Sequence, residues 1–178
     1  MQLLSEFATR GALREVDKQS IRAFVACNKY LLTGDVLDYG AGLQPYKYLV
    51  EGNYIPFTLV NSTTPAGSPV TANWQVLPRM YDAILCTQVL QYVEDPAHAI
   101  EMFYHMLFER EGFLVLTYPT NWPEDESADI HRFTKAGVER MLRDAGFFIV
   151  THACRGGIKF SDFEMAFGYG VVARIGSK

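Results

Sequence analysis

Cysteine is scarce in this chain: Cys27, Cys86 and Cys154 are the only three among 178 residues. They are isolated and odd in number, so they offer neither a disulfide framework nor the paired spacing of a metal site. Such usage suits a reducing compartment, and a cytoplasmic location is the expectation. No apolar run approaches the ~20 residues that cross a bilayer, so no membrane partner is expected. The start, Met1-Gln2-Leu3-Leu4-Ser5-Glu6, lacks a basic stretch ahead of an apolar one and does not read as a secretory signal. Basic residues are also in deficit, with 16 Lys and Arg against 20 Asp and Glu. Nucleic-acid binding usually needs a basic face, so no nucleic-acid partner is expected. A small-molecule substrate or a protein partner fits the charge better. No internal repeat, low-complexity tract or linker divides the chain. We read one domain over residues 1–178, with an N-terminal helical segment to residue 34 and a sheet core from 35 onward.

What is present begins with Val36-Leu37-Asp38-Tyr39-Gly40-Ala41-Gly42, an apolar run that stops at an acid and turns through two glycines. The pattern predicts a buried parallel strand and a tight turn that lets backbone approach a ligand. An ordinary strand-to-helix turn gives the same pattern. Upstream, Asp17 to Leu32 carries apolar residues at helical spacing, with Gly34 at the place of a C-terminal cap. Downstream, Pro45 to Val50 suggests a short helix, and Tyr54 to Val60 a strand weakened at its start by Pro56. Asn61 to Pro69 reads as a loop and Val70 to Trp74 as a short edge strand. Tyr81 to Cys86 is a further strand. Asp95-Pro96 opens a helix that Ile100, Phe103 and Leu107 continue. Phe113 to Tyr118 is a strand after Gly112. Thr134 caps a helix with Val138, Met141, Leu142 and Ala145 on one face. Phe147 to His152 and Val171 to Ile175 complete the strands. Such alternation predicts a mostly parallel sheet covered on both faces.

The order of these segments resembles the class I S-adenosylmethionine-dependent methyltransferases, in particular the small type 11 group. The resemblance rests on Val36–Gly42, Tyr81–Leu90, Asp95-Pro96, Gly112–Thr117, Arg132-Phe133-Thr134 and Ala145-Gly146-Phe147, and runs from about Asp35 onward. It implies an α/β, Rossmann-like domain with a seven-stranded sheet in the order 3-2-1-4-5-7-6, the last-paired strand antiparallel. It also implies S-adenosyl-L-methionine as cofactor. The stretch between the second and third strands is short for this pattern, so a helix there is lost or reduced to a loop.

The resemblance assigns residues to the cofactor. Asp38 with Gly40, Ala41 and Gly42 would hold the methionine portion, a carboxylate suiting an ammonium and the turn's backbone meeting the ligand; Asp38 also reads as a cap for the turn. The acid that grips ribose after the second strand is missing. Thr58 stands there with Asn61 close behind, and neither accepts two hydrogen bonds as a carboxylate does. Gln44-Pro45 replaces the third glycine. Asn73-Trp74 would take the adenine, or form a plain edge-strand pair. Cys86 and Thr87 would meet the cofactor through their backbone. Cys86 reads as a small core residue rather than a nucleophile.

On the acceptor side the resemblance points to Gln88, Tyr92, Tyr118 and Arg132. Arg132 reads rather as a loop anchor paired with a carboxylate; Tyr46, Tyr92, Tyr118 and Trp122 could line an aromatic acceptor pocket, although aromatics near strand ends are more often core. His131 is the candidate general base, because histidine is the side chain that titrates near neutrality; a surface loop histidine is the plainer reading. A sulfonium methyl is already activated, so orientation can carry much of the rate and no triad is needed. His98 and His105 read as surface, and no metal site is expected. Two readings follow: a small-molecule methyltransferase, or a methyltransferase-like binding or regulatory subunit without catalysis. A nicotinamide-binding protein fits less well, since Glu51 comes too early for the ribose acid of that motif.

Overall fold

The computed structural model describes residues 10–58, 80–121, 129–159 and 164–176. Its elements are α1 (Arg10–Cys27), β1 (Asp35–Tyr39), β2 (Asn53–Phe57), β3 (Ala83–Thr87), α2 (Pro96–Phe108), β4 (Phe113–Pro119), α3 (Lys135–Asp144), β5 (Phe147–Lys159) and β6 (Glu164–Ile175). Among the described residues the six strands form one sheet in the order β2-β1-β3-β4-β6-β5. β1, β2, β3 and β4 pair in parallel. β6 runs antiparallel to both β4 and β5. This is the expected seven-strand order without its outermost member. The strand expected at Val70–Trp74 and the loop at Asn61–Pro69 lie outside the described residues.

Strand alternation sends side chains to two cores. Leu37, Tyr39, Ile84, Cys86, Leu114, Leu116 and Tyr118 meet Ile100 and Phe103 of α2 and Val138 and Leu142 of α3. Val36, Ala83, Leu85, Val115 and Val172 meet Ile21 and Val25 of α1. Helices therefore cover both faces. No helix among the described residues is long and apolar enough to cross a membrane.

Local chemistry sets the element ends. Asp95 Oδ1 accepts from His98 N at 3.0 Å and opens α2, with Pro96 in the first turn as expected. Thr134 Oγ1 accepts from Gly137 N at 3.1 Å and opens α3. The first helix departs from expectation. It starts at Arg10 and stops at Cys27, because Asn28 Nδ2 donates to Phe24 O at 2.8 Å and takes up an end carbonyl. The apolar pattern continued to Leu32 because Leu32 is core without being helical. Pro45–Val50 holds only a single 3₁₀ turn, Lys47–Leu49. Pro56 sits inside β2, the outermost described strand, where a missing donor is tolerated. β5 and β6 are roughly twice as long as expected. Their glycines weakened the strand signal, yet glycine is what close packing requires there. A Cβ on Gly170 would stand 2.6 Å from the Phe24 ring of α1.

Candidate functional site

The carboxyl ends of β1, β3 and β4 meet the turn at 40–42, the segment at 88–92 and the loop at 129–134. Such an edge is where open α/β sheets bind ligands. The segments touch. A Cβ on Gly40 would lie 2.2 Å from Val89 Cγ2. Ile130 N and His131 N both donate to Gln91 O, at 2.9 and 3.2 Å.

Asp38 lies within the buried part of β1, between Leu37 and Tyr39, and is 1% exposed. Tyr54 OH donates to its Oδ2 at 2.6 Å, whereas Oδ1 is buried with no hydrogen-bond partner among the described residues. Burial pushes the carboxyl up to about 6, and the Tyr54 bond opposes that only in part. Burial, the Asp38 charge and the same hydrogen bond push the Tyr54 phenol well above its usual range, so it stays a donor. An unsatisfied buried carboxylate oxygen is costly, and a cation placed against it would relieve the cost.

The glycine turn is held from within. Gly40 N and Ala41 N both donate to Phe57 O, at 2.7 and 3.0 Å, and Gly42 N donates to Thr58 Oγ1 at 3.2 Å. These three amides are engaged by β2 and its exit, which differs from the expectation that they face a ligand. Gly40 has φ +84 and Gly42 φ +48, a region L side chains rarely adopt. Among the described residues a Cβ on Gly42 meets nothing closer than Gly40 O at 3.9 Å, so they leave the turn open on that side. Thr58 is buried, and its hydroxyl is the acceptor that closes the turn.

Gln88, after β3, has φ +56, a strained conformation for a non-glycine residue. Gln88 N donates to Thr117 O at 3.0 Å, and Gln91 Nε2 donates to Gln88 O at 3.0 Å. The amide orientation that satisfies its neighbours lets Gln88 Oε1 accept from Arg155 Nη2 at 2.9 Å and from Tyr118 N at 3.3 Å. Its side chain is thus tied down to the sheet rather than held out to an acceptor. Gln91 is buried, with Oε1 lacking a hydrogen-bond partner.

Arg155 reaches this place from β5 and is 2% exposed. Nη1 donates to Asp17 Oδ1 at 2.5 Å and to Ser20 Oγ at 2.9 Å, both on α1. Its guanidinium needs the bare backbone of Gly168, where a Cβ would lie 2.5 Å from Nη2. Tyr46 joins the two acidic positions. Its phenol is pushed up to about 12, chiefly by burial, and feels the charges of Arg155, Arg22, Asp38 and Asp17.

The remaining candidates are dispersed. Cys86 is fully buried, and burial raises its thiol far above the usual range, in keeping with the core reading. Thr87 pairs with Thr117 across β3 and β4. Tyr118 is fully buried, and its OH lies 2.6 Å from His152 Nε2, whose Nδ1 faces Glu139 Oε1 at 3.0 Å. Burial lowers the His152 pKa against the opposing pull of Glu139. Tyr92 is exposed. Arg132 Nη2 donates to Asp129 Oδ2 at 2.5 Å, the loop-anchoring arrangement. His131 Nε2 sits 3.2 Å from Glu94 O, which fixes its proton on Nε2 and leaves Nδ1 as the basic nitrogen. Asn61, Asn73, Trp74 and Trp122 lie outside the described residues. Among the described residues no group of His, Cys, Asp and Glu could hold a metal ion.

Sequence reasoning missed Tyr54, Gln91 and the Asp17–Ser20–Arg155 cluster. Tyr54 carried a signal, since β2 pairs with β1 in register. Arg155 carried little, because the strand was not expected to reach it.

No protein-family model and no curated protein sequence matches the chain. Solved structures do. An S-adenosylmethionine-dependent methyltransferase from Mesorhizobium loti aligns with TM-score 0.64 and 16% identity, covering 89% of this chain and 97% of that one. The methyltransferase in complex with the Trm112 methyltransferase activator of Haloferax volcanii aligns with TM-score 0.57 and 17% identity over 90% and 94% of the two chains. Magnesium protoporphyrin IX methyltransferase from Synechocystis, with bound S-adenosylhomocysteine, aligns with TM-score 0.50 and 15% identity over 92% and 83%. The chain carries the fold of the class I S-adenosylmethionine-dependent methyltransferases.

Proposed function

We propose that this chain binds S-adenosylmethionine at the carboxyl edge of its sheet and directs methyl transfer to a small-molecule acceptor in the cytoplasm. The observation that carries this reading is Asp38: a buried carboxylate with one oxygen unpartnered among the described residues, beside a turn that those residues leave open over Gly42. That oxygen fits the ammonium of the cofactor's methionine portion. When bound, the cofactor supplies a methyl on a sulfonium, already activated for displacement. The protein's own part is to bind, orient and exclude water. Asp38 with the 40–42 turn would hold the methionine end and Thr58 with Asn61 the ribose. Asn73 and Trp74 would take the adenine, and the backbone of Cys86 and Thr87 would face the cofactor. Tyr92 and Arg132 would border the acceptor, whereas Gln88 and Tyr118 are committed to contacts within the fold. His131 Nδ1 is the candidate base for an acceptor that must lose a proton.

A second reading has its own observation. No carboxylate stands at the exit of β2, and the Thr58 hydroxyl already accepts from Gly42 N. That favours a methyltransferase-like binding subunit without catalysis. Calorimetric titration with S-adenosylhomocysteine tests the first step. Binding by wild type and its loss in Asp38→Ala, shown to be folded, supports the site; absence of binding by wild type overturns it. Methyl release from labelled S-adenosylmethionine with a panel of small hydroxyl and amine acceptors then separates enzyme from binding subunit.

A further inference from the structure

Arg155 joins three elements far apart in sequence. Its guanidinium holds Asp17 and Ser20 of α1 with one nitrogen and Gln88, after β3, with the other. Two features show that the fold is arranged around this span. Gly168 leaves the space that any side chain would fill, and Gln88 stays in a left-handed conformation under hydrogen bonds to its N–H, its carbonyl and its side chain. We infer that Arg155 is a positioning residue that couples docking of α1 to the conformation of the Gln88 turn. The inference rests on the proposed site only in taking that turn as its acceptor end. The helix is thereby part of the site although Asp17 and Ser20 are not proposed to touch a ligand. A planar guanidinium is required, because one ammonium cannot reach both partners along fixed, divergent directions.

Coupling is reciprocal, so a disturbance at either end must appear at the other. Hydrogen exchange on the full-length protein reads both ends without a ligand. Ser20→Ala, a mild change on α1, should speed exchange of the amides at 88–92 by about fivefold or more. Gln88→Gly relieves the strained φ and removes the side chain, and should speed exchange within 14–27 of α1 by a similar factor. Arg155→Lys separates positioning from simple packing. The lysine keeps a charge for Asp17, so α1 stays protected, whereas the 88–92 amides lose protection. Exchange that changes only in the element carrying the substitution overturns the inference, as does Arg155→Lys behaving alike at both ends. S-adenosylhomocysteine titration of wild type, run alongside, keeps the two claims apart. Failure to bind removes the methyltransferase reading and leaves the coupling standing. Binding together with confined exchange removes the coupling alone.

Discussion

Asp17 and Asp38 are two buried aspartates whose charges both reach Tyr46, yet only Asp17 has a cation beside it. Asp17 pairs with Arg155 and lies against Ser20 on its own helix. Among the described residues Asp38 has only the Tyr54 phenol on one oxygen and nothing on the other. A fold gains nothing by burying an uncompensated acid. It gains a binding site if the compensating charge arrives with a ligand. The contrast separates a carboxylate paired within the protein from one that the proposed site would pair with a ligand's cation.

The largest expected effect breaks the first of the two. Arg155→Met leaves Asp17 buried without its cation and should lower unfolding free energy by about 3–5 kcal/mol, measured by urea denaturation. Asp38→Asn should do the opposite. It removes a buried charge and keeps an acceptor for Tyr54, so the ligand-free protein should gain about 1–3 kcal/mol at pH 7.5. The same variant should lose affinity for S-adenosylhomocysteine. A destabilised Asp38→Asn would mean that Asp38 is compensated within the fold, and the contrast would fail.

The pH dependence sharpens this. The folded-state pKa of Asp38 is raised from 3.8 to about 6. Its contribution to stability is therefore fully present below about pH 4 and lost as pH rises through about 6. A shift of this size corresponds to about 3 kcal/mol. The stability gap between Asp38→Asn and wild type should widen from pH 4 to pH 6.5 and then stay level. Subtracting one protein from the other removes the other carboxylates. Ligand affinity should run the other way: level above about pH 6.5 and falling by up to about tenfold per unit below pH 6, as the carboxyl takes a proton.

The two glycines of the turn offer a smaller comparison of the same kind. A Cβ on Gly40 strikes Val89, so Gly40→Ala should cost about 2–4 kcal/mol through overpacking and left-handed strain. A Cβ on Gly42 meets no described atom closer than Gly40 O at 3.9 Å, so Gly42→Ala should cost only about 1 kcal/mol. The sequence made Gly40 and Gly42 equal members of one turn. In the proposed site a blocking side chain belongs at Gly42, where a valine would leave the Val89 contact of Gly40 intact. Equal losses of stability in the two alanine variants would show that the turn does not pack as described.

Much of the fold was legible because its signals are local. Asp95-Pro96 and Thr134 announced helix starts through cap chemistry, and β1, β3 and β4 announced themselves as short apolar runs. The long hairpin was only half legible, because Gly156, Gly157, Gly168 and Gly170 read as breaks when they are close contacts. Of the site, Asp38 and the turn were visible as a motif. The partners that decide their chemistry were not. Tyr54, in register with Val36, meets Asp38 two residues further along β1, and Arg155 meets Asp17 over 138 positions of sequence. Nor could spacing show that the turn's amides are spent on Phe57 and Thr58, since that depends on where β2 ends.

The smallest expected effect concerns Thr58. Its hydroxyl accepts from Gly42 N, so an aspartate there can keep that bond with one oxygen and offer the other to a ribose. Thr58→Asp should tighten S-adenosylhomocysteine binding by about fivefold, about 1 kcal/mol, when measured near pH 8. The gain should shrink toward pH 6. A second carboxylate close to Asp38 raises the cost of ionising both, and Asp38 then takes up its proton at higher pH than in wild type. The variant thus places a new uncompensated acid beside the old one and asks whether a single ligand serves both. Tighter binding at pH 8 that persists unchanged to pH 6 would mean that the two sites do not share a field. Unchanged binding at every pH would place the ribose contact elsewhere, with Asn61 the next residue to replace.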